Sequence, residues 1–380
     1  MLFRHYRLLH FTLKRNLSEV YSTIFLRTFA ASLVGLFVPI YLLHEINISF
    51  SDLMIYLMVV FTFLLLGYII GALIGPYIGI RKLVALSVPF FISHYLLLYA
   101  LSSFNIPILL IAILFGIGDG IFWFAYNIDF SKFSDKKHRG EEVKVWFVLA
   151  SLIGIIGPFI GGFLLNYFNA PLLFAIVVIL FTLSAIPLLK SKDVFVRYKI
   201  SIKEVFSKEN FENSHRYAVQ GIRHVASGIF WPIFVFFLVK QYFFTGIIFS
   251  VAAIVSSIAI WFIGNEIDKL NRKVFSDFTS MIDGITSFTR IFISSFAQIL
   301  TIAVLGGVTY GVSEIAGSTL AYDQANKTKI IGFIIYREVI FTLSRVIFLG
   351  IFLLSNLDYI SSIKLSFILL GTAGFLQWLL

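Results

Sequence analysis

Twelve apolar runs, each about as long as a helix needs to cross a bilayer, recur along this chain with short polar loops between them. About 20 apolar residues in a helix cover a hydrocarbon layer of roughly 30 Å. The runs fall at 19–43, 53–78, 83–103, 106–129, 144–166 and 170–189, then at 216–239, 244–264, 275–297, 299–321, 331–354 and 361–380. With 59% of residues hydrophobic, 13% charged and a mean hydropathy of +0.94, a soluble fold could not hide the apolar surface. The expectation is an all-α polytopic membrane protein with twelve transmembrane helices, lodged in the cell membrane.

The cations set its orientation. Of 30 Lys and Arg residues, 23 fall in the N-terminal segment and in the loops after the second, fourth, sixth, eighth and tenth runs, counting Lys144 and Arg216, the first residues of their runs, with the loops they follow. The opposite loops hold only Lys240 and Lys364, so both termini are expected in the cytoplasm. The net charge of +10 therefore reflects topology, and no nucleic-acid partner is implied. Residues 1–18 are basic and lack a separate short apolar core with a small-residue cleavage site, so they read as a retained amphipathic segment. The longest polar stretch, 190–215, divides the chain into a six-helix bundle at 19–189 and another at 216–380.

The two halves repeat each other. Val34-Gly-Leu-Phe-Val-Pro-Ile-Tyr41 in the first span returns as Ser227-Gly-Ile-Phe-Trp-Pro-Ile-Phe234 in the seventh, 193 residues later. The same offset carries Gly71 onto Gly264, and after a two-residue shift Arg81-Lys82 falls opposite Arg272-Lys273. A parallel duplication of six helices predicts two pseudo-symmetric bundles. Gly67, Gly71, Gly75 and Gly79 form a four-residue ridge on the second span, most simply a close helix contact.

Between the eighth and ninth spans stands Gly264-Asn-Glu-Ile-Asp268-Lys269-Leu-Asn271-Arg272-Lys273. It closely resembles the loop motif of the major facilitator superfamily, with Asn271 where glycine is usual. Arg139-Gly140 sits where that family commonly has Arg-Gly, and Gly157-Pro158-Phe-Ile-Gly161-Gly162 is similar to the core of its exporter motif without the upstream glycine spacing. The resemblance covers nearly the whole chain. It implies a monomer that moves a small molecule by alternating access. It also implies a gate in which Asp268, with Gly264, Lys269 and Arg272, closes against the start of the fifth span near Arg139. The first-half copy has Gly75 or Pro76 where the Asp belongs, so this latch is expected on one side only.

In that family the first, fourth, seventh and tenth helices line the central cavity. By that resemblance the substrate site would draw on Arg27, Arg223 and His224, with aromatic support from Trp123, Tyr126 and Trp231. Asp119 and Glu314, at nearly equivalent positions of the repeat, would take up and release a proton. Arg27 and Arg223 suit a carboxylate or phosphate because guanidinium meets such groups with paired hydrogen bonds. The superfamily's organic-phosphate exchangers are similar in carrying one Arg on each of these two helices. Five arginines lie within spans, and each costs roughly 2.5–3.5 kcal/mol near the bilayer centre unless paired or hydrated. Internal ion pairs with Asp119, Glu314 or Glu338 are therefore the structural alternative, and Asp283 and Arg290 read as structural. Two other functions stay open: proton-coupled export of cationic amphipaths, and a lipid-moving or non-transporting relative.

Enzymatic chemistry finds no support. The chain has no Cys, its seven His lack metal-site spacing, and neither a Gly-x-Ser-x-Gly elbow nor a phosphate-cradling Gly-Lys-Ser/Thr loop is present. No metal or cofactor is expected.

Overall fold

The computed structural model describes residues 15–133, 139–189, 195, 198, 200–267, 272–355 and 357–379, and no strand occurs among them. The first six spans are Arg15–Val34 continuing as Val38–His44, then Phe50–Ile78, Ile80–Ala100, Ile108–Phe133, Arg139–Tyr167 and Ala170–Leu189. A linker holding a short helix, Ile202–Val205, and a 3-10 turn, Lys208–Asn213, leads to the second set. The seventh span runs from Ser214–Val225 through a π-helical turn, Ala226–Phe230, into Trp231–Val239. Tyr242–Ile267, Arg272–Thr289, Phe296–Lys327, Ile330–Leu354 and Tyr359–Leu379 complete the chain.

Nine stretches among the described residues are long and apolar enough to cross a membrane. Of the other three, the ninth and eleventh fall short for a physical reason: they carry several charges, most of them buried. Arg337, Glu338 and Arg345 interrupt the eleventh, and Asp277, Asp283 and Arg290 lie on the ninth and the 3-10 turn that ends it. The tenth span outruns its apolar stretch. Gln324 in its last turn accepts from Asn213 Nδ2 at 2.8 Å and Tyr217 OH at 2.6 Å and donates to the Glu209 carbonyl at 2.8 Å, so its polar end is bonded.

Packing within each half follows the duplication. The second span packs on the fourth and the first on the fifth and sixth, while in the other half the eighth packs on the tenth and the seventh on the eleventh and twelfth. The glycine ridge on the second span is a contact surface. A Cβ at Gly67 would lie 2.5 Å from the Ile117 carbonyl, and one at Gly120, across from it, 2.0 Å from that of Leu64. Gly79 ends that span at φ 91°, where a side chain would be strained.

The halves meet along two pairs of spans, the fifth with the eighth and the second with the eleventh. On the side away from the linker, the far side, Tyr242 OH donates to Glu45 Oε1 at 3.2 Å, and the His44 and Phe236 rings meet edge-on at 5.0 Å. Ser250 Oγ donates to the Ile155 carbonyl at 2.6 Å. On the linker side, Val205 is buried with Leu64, Tyr68, Ile334 and Ile335, and Glu204 pairs with Lys329.

Both copies of the repeated motif interrupt their helix. The first span turns at 35–37 before restarting with Pro39 in its first turn. In the seventh, the Trp231 N–H reaches back to the Ala226 carbonyl and Pro232 follows at once. Proline has no N–H to give the carbonyl four residues before it, and that residue is Gly35 in one copy and Gly228 in the other.

Candidate functional site

A cavity of about 440 Å³ lies between the halves. Its wall takes Gly35, Val38 and Pro39 from the first span, Asp119, Trp123, Tyr126 and Asn127 from the fourth, and Gln220, His224 and Gly228 from the seventh. Glu314 comes from the tenth span and Arg337, Glu338 and Arg345 from the eleventh. Tyr56, Tyr68 and Tyr95 add phenols, so the surface mixes aromatic rings with opposed charges.

Gln220, His224 and Gly228 recur at four-residue spacing, which places them down one face of the seventh span. Gln220 Nε2 donates to Glu314 Oε2 at 2.8 Å, joining the seventh and tenth spans. The His224 ring stands edge-on to Phe61 at 5.7 Å, and its Nδ1 has no hydrogen-bond partner. Trp123 and Tyr126 meet at right angles at 5.5 Å. Asn127 Nδ2 donates to Tyr68 OH at 3.1 Å, tying the fourth span to the second.

Arg27 and Arg223 do not line the cavity. Arg27 Nη2 lies 3.0 Å from Asp119 Oδ1, and its guanidinium lies over the Phe122 ring. Asp119 therefore faces the cavity with a cation behind it. Arg223 Nε lies 2.7 Å from Asp283 Oδ2 and its Nη2 donates to Ser280 Oγ at 2.7 Å, both on the ninth span. That span supplies the seventh with its counter-charge. Trp231 also lies behind the wall, against Phe234 and Phe367, with the Arg290 guanidinium 5.1 Å from its ring. Arg290 itself donates from Nη1 to Ser227 Oγ at 2.7 Å, within the π-helical turn.

The cations that do face the cavity are on the eleventh span. Arg345 Nη1 lies 3.2 Å from Glu338 Oε1, and its guanidinium stacks near Phe61 and Phe341 at 4.9 and 5.0 Å. Arg337 lies 5.5 Å from the Phe341 ring. A signal for them was present, since Glu338 and Arg345 are seven residues apart and so share a helix face two turns apart. The expectation that only the first, fourth, seventh and tenth spans line the cavity passed over them. His224, Glu314, Asp119, Trp123 and Tyr126 are placed in the wall. Gly264 lies in the eighth span, and Arg139 and Arg272 begin the fifth and ninth. Asp268 and Lys269 lie outside the described residues, and the latch with them. No group of three metal-ligating side chains occurs among the described residues.

Two bundles of six helices related by duplication, with a charged cavity between them, define a class of membrane transporter. The chain belongs to the Major Facilitator Superfamily, whose family model matches residues 20–245. It is 26% identical over 341 residues to the uncharacterized protein YqgE of Bacillus subtilis (strain 168), across 85% of this chain and 78% of that one. Among solved structures it resembles the POT family transporter PepTSo, with a TM-score of 0.72, 10% identity and 96% of each chain covered. A POT family transporter in complex with 5-aminolevulinic acid is similar too, with a TM-score of 0.73, 12% identity, and 96% of this chain and 95% of that one covered. At such identities the likeness is one of fold. Membership of the family places the chain among secondary transporters.

Proposed function

We propose that this transporter moves a small organic molecule bearing an acidic group by alternating access, with protons as the coupling ion. The observation that carries this reading is the cation pair Arg337 and Arg345 in the cavity wall, facing carboxylates drawn from both halves. Arg345 would receive the acidic group, because guanidinium fits carboxylate and phosphate geometry. Arg27 and Arg223 would then serve as internal counter-charges. Asp119 and Glu314 would exchange protons as the cavity turns from one side to the other, since an intramembrane carboxylate that loses its partner is costly to keep charged. Asp268 would hold the linker side shut by closing against the start of the fifth span, and Asp268→Asn should shift the balance of the two states.

A second reading draws on Trp123 and Tyr126, whose rings stand beside Asp119 in the same wall. Rings and carboxylates together suit a cationic amphipath. Uptake into proteoliposomes under an imposed pH gradient separates the two. Organic-anion movement that follows the gradient and is lost in Asp119→Asn supports the first reading, whereas movement of lipophilic cations alone supports the second.

A further inference from the structure

Seven tyrosines are buried among the described residues, and the phenols of five are hydrogen-bonded within the protein. Tyr41 donates to the Leu98 carbonyl, Tyr217 to Gln324 and Tyr242 to Glu45, while Tyr68 accepts from Asn127 and Tyr336 shares a bond with Ser214. Tyr56 and Tyr95, 3% and 2% exposed, make no hydrogen bond among the described residues, and both line the cavity. A buried phenol ordinarily has a partner, so two without one on the same wall point to a partner inside the cavity. Tyr56, on the second span, and Tyr95, on the third, lie within electrostatic reach of each other, and Tyr95 lies within reach of Asp119. Asp119 in turn interacts with Arg345 across the boundary between the halves. These groups therefore belong to one site. The Tyr95 ring stacks on Phe181 at 5.6 Å, which holds its phenol in place.

Charge decides the chemistry of that partner. Arg27 pairs with Asp119 at 3.0 Å and also lies within reach of Tyr95, so the negative charge beside the phenols is already compensated. An ammonium group would meet the Arg27 guanidinium as well as the carboxylate. A hydroxyl group brings no charge and both donates and accepts, as a phenol does. We propose that Tyr56 and Tyr95 form a hydroxyl-binding subsite, so that the transported molecule is an acid with a hydroxylated chain, its acidic group at Arg345 and its hydroxyls at the two phenols. The subsite deepens the reading in which Arg345 receives the acidic group, and rests on it. A cavity of about 440 Å³ is large enough for such a molecule. A site built to hydrogen-bond a hydroxyl rejects the analogue lacking it, because the buried polar groups are then left unpaired. The phenols would thus set specificity, and Arg345 the attraction.

The test is a thermal-shift titration of the full-length, detergent-purified protein with four six-carbon probes. Gluconate carries an acid and hydroxyls, hexanoate the acid alone, 6-aminohexanoate an acid and an ammonium group, and sorbitol the hydroxyls alone. The subsite predicts that gluconate stabilises at a concentration at least about tenfold below hexanoate and 6-aminohexanoate, a ratio equivalent to about 1.4 kcal/mol. Tyr56→Phe and Tyr95→Phe keep the rings and should each shrink that advantage severalfold. Both should melt no lower than the parent, since neither loses a bond within the protein. Equal responses to gluconate and hexanoate, a preference for 6-aminohexanoate, an advantage surviving both variants, or a Phe variant melting well below the parent would overturn the subsite. Equal stabilisation by gluconate and hexanoate that is lost in Arg345→Gln would remove the subsite and leave the anion reading standing. Stabilisation by sorbitol that is lost in the Phe variants, with hexanoate inert, would keep the subsite and remove the acid. No response to any probe would overturn both.

Discussion

Glu338 accepts a hydrogen bond from Arg345 Nη1 at 3.2 Å inside the cavity, both groups coming from the eleventh span. This pair is exposed to whatever enters the cavity, unlike Arg223 with Asp283, which is sealed behind the wall. The two pairs make different predictions.

Breaking the sealed pair should harm the fold rather than the site. Removing one partner of a buried ion pair leaves a bare charge and costs about 3–5 kcal/mol, whereas an apolar replacement of both is often near neutral. Arg223→Met and Asp283→Leu should each lower the melting temperature sharply, and the double variant should recover most of the loss with transport retained. A double variant that is stable but inactive would return Arg223 to the substrate site.

The far-side contact between the fifth and eighth spans is closed by backbone. A Cβ at Gly246 would lie 2.3 Å from the Pro158 carbonyl, and one at Gly162 would lie 2.5 Å from the Tyr242 carbonyl. Gly246→Val should therefore force the far side apart, with an overpacking cost of about 1–3 kcal/mol charged only to the closed state. Because the chain has no Cys, Ile229→Cys places a single thiol in the cavity wall. Labelling by an impermeant maleimide from the far side should rise severalfold in the Gly246→Val background, and an unchanged rate would show that this contact is not the gate.

Asp358 caps the last span. Its Oδ2 accepts the N–H groups of Ile360 and Ser361 at 3.1 Å each, and the bonds from the Ser361 side chain and backbone hold its carboxyl below the usual range. A carboxyl depressed in the folded state adds stability above its unfolded value of about 3.9 and loses it as pH falls through the folded value. The melting-temperature difference between the parent and Asp358→Ala should thus be full at neutral pH and vanish toward pH values well below about 4. A difference independent of pH would rule out the charged cap.

How much of this could be read from sequence depends on what each residue must satisfy. Span limits follow from apolar length, and the 193-residue repeat pairs Pro39 with Pro232, but the helix interruptions beside these prolines were seen only in the structure. The tenth span was read six residues short at its C-terminal end, because hydropathy cannot anticipate that Gln324 is bonded by Asn213 and Tyr217. Pairing was harder still. Arg223 could have faced either way on its helix, and only the rotation of the ninth span, which turns Ser280 and Asp283 toward it, decides that it points away from the cavity. The arginines of the eleventh span were visible as charges in an apolar run, but their role depends on contact between the halves, which no local pattern encodes.

The most direct test of the account is ligand stabilisation by organic anions in the parent protein, in Arg345→Gln and in the Arg223→Met/Asp283→Leu double variant. At about 100 times its dissociation constant a ligand stabilises by roughly 2.7 kcal/mol, a shift well within reach of a melting curve. The account predicts that the anion-induced rise is present in the parent, survives in the double variant and disappears in Arg345→Gln. A rise that persists without Arg345 and vanishes with the Arg223 pair would contradict it.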